Sequence, residues 1–273
     1  MFHRKETSVS ISKEQTLFLR KLHHRKISVV FIQWFLLIGL FLLWEIAAAQ
    51  NWIDPFIFSQ PSRMFHACLQ MLYDGSLLHH IGITLGETIA GFVLSTILGT
   101  LTAVILWWNK FISDIIEPYL VVLNSLPKMA LAPIIIVWLG NNRTSIIFVA
   151  LLTSVVVTIM SVLNGFMQTD SDKIKLIQIF GGTKWQVFKK AVLPSNIPSV
   201  VNALKINVGL SFVGVIVGEF LVAQSGLGFL IVYSSQIFRM DWVMLSVIIL
   251  AILAALIYHG ISYLEKKICT WQQ

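Results

Sequence analysis

The polar groups standing within the long apolar stretches of this 273-residue chain are sparse: Glu87, Lys128, Asn207, Ser211 and Glu219. Ionisable side chains at membrane depth are costly, and they line passages or pair with one another. Lys128, Asn207, Ser211 and Glu219 are therefore candidates for a translocation path. Lys128 reads equally well as a lysine at a helix end whose long stem carries its ammonium back to the interface. No nucleophile sits in a motif with a base, so no catalytic set is visible. His23-His24 and His79-His80 are adjacent pairs that cannot share a helix face, and no spacing of His, Cys, Asp and Glu suggests a metal site. No Gly-Lys dipeptide occurs anywhere, which excludes a phosphate-cradling P-loop. Any ATP and Mg must be handled by another polypeptide, and no cofactor is expected on this chain.

The elements that would hold these groups are membrane spans. The chain is 56% hydrophobic and 12% charged, with mean hydropathy +0.80, whereas soluble domains carry about 25% charged residues. The reading is an all-α integral membrane protein. Residues 1–28 are a basic tail, and residues 29–273 are the membrane domain. Six spans are expected: 29–49, 81–108, 118–139, 144–163, 200–222 and 242–264. A cleaved signal peptide is the alternative for the first, but its apolar run and leading tail are both too long. The third span is broken by Pro127 and Pro133 around Lys128, so it must be buried in protein or line a cavity. Gly91, Ser95, Gly99 and Ala103, and separately Gly82 and Gly86, form stripes that let helices approach closely.

One long polar stretch, residues 164–198, is wedged between spans. Ile174, Ile177 and Phe180, or Ile174, Leu176 and Ile179, give it a short apolar face, and Trp185, Phe188 and Val192 give another. Gly181-Gly182 can turn the chain between two short helices, because glycine tolerates positive φ. Pro194 and Pro198 are expected to stop the second helix and start the next span. Such a hairpin could lie on lipid head groups or face a protein partner. Orientation separates the two. With the N-terminus inside, fifteen of the twenty Lys and Arg fall on the inner side. Only Arg63, Arg143 and Arg239 fall outside, and Lys128 and Lys205 lie within spans. That bias places both termini and the 164–198 loop in the cytoplasm. The +7 net charge is thereby a membrane signature, and no nucleic acid is expected as a partner. Cys68 and Cys269 fall on opposite sides, so no internal disulfide is expected.

Gly181, Leu193 and Pro194 match the cytoplasmic loop of ABC importer permeases, in which Glu-Ala-Ala is followed by a glycine and then by an aliphatic-x-Leu-Pro. Gly181-Gly182-Thr183-Lys184-Trp185-Gln186 resembles the family's Gly-Ala-Ser-Arg-Trp-Gln. Lys175-Leu176-Ile177 stands in place of Glu-Ala-Ala, and Ala191 in place of the aliphatic residue. Leu126–Pro133 with Trp138-Leu139-Gly140, and Gly209–Gly214 with Glu219 and Gly226-Leu227-Gly228, resemble the sulfonate/nitrate/taurine-type branch. The resemblance implies a type I importer permease fold with coupling helices, in a prokaryotic cell membrane. It implies a cytoplasmic ATP-binding subunit, an extracytoplasmic substrate-binding protein and a second permease copy as partners, besides the lipid bilayer. The residues it assigns to ATPase coupling are Lys175, Leu176, Ile177, Gly181, Gly182, Trp185, Leu193 and Pro194. The substrate it implies is a small sulfonate, taurine, nitrate or similar solute, with thiamine-precursor pyrimidines carried by related branches. A stand-alone secondary transporter is the alternative; it would need two inverted halves and paired ionisable groups at mid-membrane.

Overall fold

The computed structural model describes residues 13–268, and every regular element among them is helical. Cys269 lies outside the described residues. Residues up to Arg63 form one compact unit and residues from Met64 a second. In the first unit, α1 (Lys13–Ala49) contains an apolar span, Ile27–Ala49. A one-turn helix, α2 (Pro55–Phe58), follows, capped by the Asp54 carboxylate, which accepts from the Phe56 N–H. Glu45 accepts from both the N–H and the hydroxyl of Ser62, at 3.0 and 2.8 Å. α3 (Pro61–Tyr73) is amphipathic and crosses the unit boundary.

In the second unit, α4 (Ser76–Trp108), α7 (Arg143–Met167) and α11 (Ile197–Val222) form the central packed bundle, with α7 in the middle. α4 runs for about 50 Å at 1.5 Å per residue, longer than a bilayer core requires. The bundle closes on small residues. A Cβ added at Gly91 would lie 2.7 Å from the Ala150 Cβ, and one at Gly99 2.8 Å from the Thr158 Cβ. Gly214 approaches the Ala150 backbone and Gly218 approaches Ile146 in the same way. Gly91, Ser95, Gly99 and Ala103 are all buried, as their spacing requires. Gly82 and Gly86 differ: both are exposed, and nothing lies within 4 Å of either missing Cβ. Among the described residues, the stripe there packs against no other helix.

The third span is broken at Pro127, as its prolines imply. α5 (Lys110–Ser125) begins ahead of the expected span start at Pro118, with the Asn109 side chain accepting from the Ile112 N–H. Pro118 lies inside α5 and does not start it. The chain then breaks at Leu126, extended at ψ 139° because it precedes a proline. A 3₁₀ turn (Lys128–Leu131) leads into α6 (Ala132–Leu139), and the two halves meet at 94°. Among the described residues, five helices are therefore long and apolar enough to cross a membrane, six if this bent pair is counted as one crossing.

The loop region between α7 and α11 comprises α8 (Ser171–Ile179), α9 (Lys184–Val187), a π-helical turn (Phe188–Val192) and α10 (Leu193–Ser195). Pro194 does not stop this helix. Its ring would collide with the carbonyl four residues back, and the backbone widens ahead of it, so that the Leu193 N–H reaches Phe188 O. The helix ends one turn later at Asn196, and Pro198 occupies the first turn of α11. α12 (Leu227–Gln236) is a short helix, and α13 (Met240–Ile268) is the last described element.

Candidate functional site

The turn between α8 and α9 is specified atom by atom. The Gly182 N–H donates to Ile177 O and the Gly181 N–H to Gln178 O, both at 2.9 Å, which is the paired C-terminal closure of a Schellman motif. Gly181 takes φ +76°, and the space around its missing Cβ is open. At Gly182 the constraint is different: a Cβ there would sit 2.7 Å from Ile177 O and 2.4 Å from Ile177 Cγ2. Thr183 then starts α9 with a capping box: its hydroxyl accepts from the Gln186 N–H, and the Gln186 side chain accepts from the Thr183 N–H.

The loop has two faces. Ile174 and Ile177 pack on the core cluster that contains Phe166, Val187, Phe188 and Val192. Opposite them, Leu176, Ile179, Phe180 and Trp185 are 58%, 81%, 83% and 55% exposed, and Leu193 is 41% exposed. Lys175 and Leu176 thus point outward while Ile177 points in, so the Lys175-Leu176-Ile177 segment is divided between an exposed face and an anchored one. Lys175 lies 3.8 Å from Asp172, an exposed pair that leaves its ammonium available. A cluster of exposed large apolar groups on an otherwise polar loop marks a contact surface.

The loop is clamped to the end of α4. Trp185 stacks on Phe188 with ring centres 6.0 Å apart, and Phe188 meets Trp107 at 5.1 Å and Phe166 at 5.7 Å. The Lys184 ammonium donates to the Trp108 carbonyl, one of the acceptors left open where α4 ends. It also stands 5.8 and 5.7 Å over the Trp107 and Trp108 rings.

The intramembrane groups separate into two sets. Asn207, Ser211 and Glu219 on α11 are 1%, 0% and 1% exposed and sit in helix seams. Asn207 accepts from Ser95 Oγ at 3.0 Å and donates to Thr96 Oγ1 at 2.7 Å, while Ser211 pairs with Ser154 at 3.1 Å. Glu219 accepts from Thr84 Oγ1 at 2.7 Å and from the Gly228 N–H at 2.6 Å. The Leu227 N–H donates to that same threonine, and the Gly226 N–H to His80 Nδ1. Gly226, at φ +118°, and Gly228 press so closely on Glu219 that neither leaves room for a Cβ. Lys128 is elsewhere, at the 94° bend, partly exposed, its ammonium 3.2 Å from Asn124 Oδ1. The structure therefore groups Asn207, Ser211 and Glu219 with the bundle seams and leaves Lys128 apart from them.

The family model of the binding-protein-dependent transport system inner membrane component matches residues 95–266. The chain belongs to that family. It is a permease subunit of an ABC importer, a transport component and not an enzyme. Among curated relatives, the formylaminopyrimidine transport permease protein ThiX of Halalkalibacterium halodurans is 29% identical over 86% of this chain and 93% of its own length. The aliphatic sulfonates transport permease protein SsuC of Escherichia coli is 24% identical over 87% and 90%, and the taurine permease TauC of the same organism 24% over 84% and 85%. The sulfonate/taurine-type branch is thereby supported. Among solved structures, the inward-facing methionine transporter MetNI aligns with a TM-score of 0.64 at 19% identity, over 72% of this chain and 97% of the other. That likeness supports the importer permease fold.

For this permease, three features were not visible in the sequence. Thr84 and His80 carry no motif of their own, and they matter because α4 brings them to the Gly226–Gly228 turn. Phe180 was read as one residue of a loop face, yet it is the most exposed large apolar group on the loop. Lys184 appeared only as part of a Gly-Gly-Thr-Lys-Trp-Gln run, and its contact with Trp108 spans 76 residues.

Proposed function

We propose that the outward face of the 171–185 loop is the surface through which a cytoplasmic ATP-binding subunit drives this permease. The observation that carries the proposal is the combination of exposed apolar side chains (Leu176, Ile179, Phe180, Trp185) with a turn fixed by Gly181, Gly182 and the Thr183 capping box. Lys175 adds a cation, which calls for acidic groups on the ATPase. ATP and Mg belong to that partner. Closure of the ATPase moves the loop, and the clamp passes the movement to α4 while the Phe188–Phe166 contact passes it to α7. Both termini lie in the cytoplasm, supported by the Lys and Arg asymmetry.

The passage lies between two permease copies, each receiving solute from an extracytoplasmic binding protein. Lys128 is the path candidate, supported by its partial exposure at a broken helix. Asn207, Ser211 and Glu219, sealed within one chain, hold the walls. The solute is small and polar, of the kind named for the relatives: a sulfonate, taurine or a formylaminopyrimidine. The test is Phe180→Ser with Leu176→Ser, reconstituted with the ATPase and binding protein. The permease should remain in the membrane, and ATPase recovery with it should fall. Full recovery and full substrate-stimulated hydrolysis would assign the loop to the lipid surface instead.

A further inference from the structure

At the end of the bundle opposite the loop, the turn between α11 and α12 is fastened by side chains from other helices. Gly226 is the N-cap of α12 and has no side chain with which to cap it. Three consecutive amides are captured instead. The Gly226 N–H donates to His80 Nδ1 at 2.9 Å, the Leu227 N–H to Thr84 Oγ1 at 2.8 Å and the Gly228 N–H to Glu219 Oε2 at 2.6 Å. Thr84 Oγ1 in turn donates to Glu219 Oε1 at 2.7 Å. These are amides that a helix start leaves open, and they tie α12 to His80 and Thr84, one turn apart on α4, and to Glu219 on α11. The residues just before the turn, Val222–Ser225, form one wall of a chamber of about 220 Å³ that Glu87 and Arg143 also line. On the Lys and Arg asymmetry this is the outer side.

The three acceptors differ in what acid does to them. A backbone N–H only donates, so His80 Nδ1 must accept, and the neutral ring carries its proton on Nε2. An imidazolium has a proton on both nitrogens, and its Nδ1–H would face the Gly226 N–H, donor against donor. Threonine does not titrate, and a carboxyl group keeps an acceptor oxygen in either protonation state. Only the histidine contact is therefore broken by protonation. Several titratable groups surround it. On the α4 side, the His79 ring is 5.9 Å away, and Asp74, ahead of the helix, accepts from Ser76. Glu219 shares a hydrogen bond with Glu87, which pairs at 4.0 Å with Arg143 of α7. On the α12 side, Phe229 stacks on the His80 and Tyr233 rings. Arg239 and Asp241, at the far end of α12, bond one another.

We propose that His80 is a proton-sensitive latch: neutral, it holds the Gly226–Gly228 turn on α4, and protonated, it releases the turn and loosens the outer wall of the chamber. His80 is a positioning residue that acts through the backbone of the turn. The latch is separate from the coupling loop, and only its assignment to the outer side rests on the Lys and Arg asymmetry.

The experiment is amide hydrogen exchange of the full-length permease in nanodiscs, which expose both faces and so read the latch whichever side it occupies. Exchange of the peptide covering Gly226–Phe229 is divided by its unfolded rate at the same pH, which removes the intrinsic pH dependence. Between about pH 7.5 and about pH 5.5, either side of the ordinary imidazole range, wild-type protection should fall about tenfold, while the α7–α11 seam stays protected. His80→Asn places an amide oxygen where Nδ1 stands and cannot take up the proton, so it should keep its protection at both values. His80→Ala should be weakly protected at both. Wild-type protection that does not change with pH overturns the proposal, and needs no variant to do so. His80→Asn losing protection in acid as the wild type does would hand the response to the Glu87–Glu219 pair. His80→Asn unprotected at both values would make the ring's packing on Phe229, and not its nitrogen, the holding contact. Either result also overturns it.

Discussion

Replacing Gly182 by alanine should damage coupling more than the same change at Gly181, although only Gly181 has positive φ. At Gly181 the added methyl meets open space, and the cost is that of a left-handed backbone, about 1–2 kcal/mol. At Gly182 the methyl would stand 2.7 Å from Ile177 O and 2.4 Å from Ile177 Cγ2. Ile177 cannot retreat, because it packs on the buried cluster around Phe188. The turn must open instead. That loses the Gly182–Ile177 hydrogen bond, about 1 kcal/mol, and adds overpacking of about 1–3 kcal/mol. The sum, about 2–4 kcal/mol, is enough to melt a two-helix loop locally without unfolding the bundle. The assay is substrate-stimulated ATP hydrolysis by the reconstituted complex, with permease abundance as control. Gly182→Ala should lose most of the stimulation at near-normal abundance, and Gly181→Ala should retain more. Gly181→Val, which adds β-branching to the same strain, should fall with Gly182→Ala. If Gly182→Ala couples as well as the wild type while Gly181→Ala does not, the close approach to Ile177 is irrelevant and the reasoning fails.

Lys184→Met keeps the aliphatic stem but removes the donor to the Trp108 carbonyl, an exposed charge-assisted bond worth about 0.5–1.5 kcal/mol. ATPase recovery with the permease should be normal while stimulated hydrolysis falls several-fold, read by pull-down and phosphate release. Lys128→Met should reduce uptake into proteoliposomes without changing assembly; unchanged uptake would return Lys128 to the interface. The isolated permease should show no saturable nucleotide binding by equilibrium dialysis.

Much of this architecture was legible because its determinants are local or periodic. Span length and hydropathy mark the long helices, and four-residue glycine spacing marks the α4–α7–α11 seams. The Gly181 turn could be read because a glycine after a short helix is a sequence signal with a mechanism. What escaped depends on distance along the chain. The 94° bend is set at Leu126-Pro127, but a proline within an apolar run also fits a mild kink. The role of Pro194 was misread for a similar reason: the sequence shows a helix breaker, and the π turn that absorbs it depends on Phe188, Ala191 and Val192 being anchored in the core. Asn207, Ser211 and Glu219 showed their polarity but not their partners. Thr84, Ser95, Thr96 and Ser154 come from other helices, and only the packed seam reveals that these groups bind one another.

The position of the clamp says how a small movement at the loop can reach the membrane interior. Phe188 sits where the aromatic cluster meets the buried core, touching Trp107 on α4, Phe166 on α7 and Trp185 on the loop. A π-helical turn begins at that same residue. Such turns lack the regular four-residue ladder and can shift register at low cost, whereas the flanking aromatic contacts resist separation because each ring fills space at core density. Force applied at Leu176 or Phe180 therefore has a stiff route into α4 and α7 through side chains, and a softer route into α11 through the backbone past Asn196. The two routes differ in compliance, so the loop does not move the bundle as one block. On the proposed coupling, α4 and α7 would tilt together against α11, along seams whose glycines bring backbone close to backbone and whose few hydrogen bonds, at Ser95, Asn207, Ser154 and Ser211, lie near mid-span.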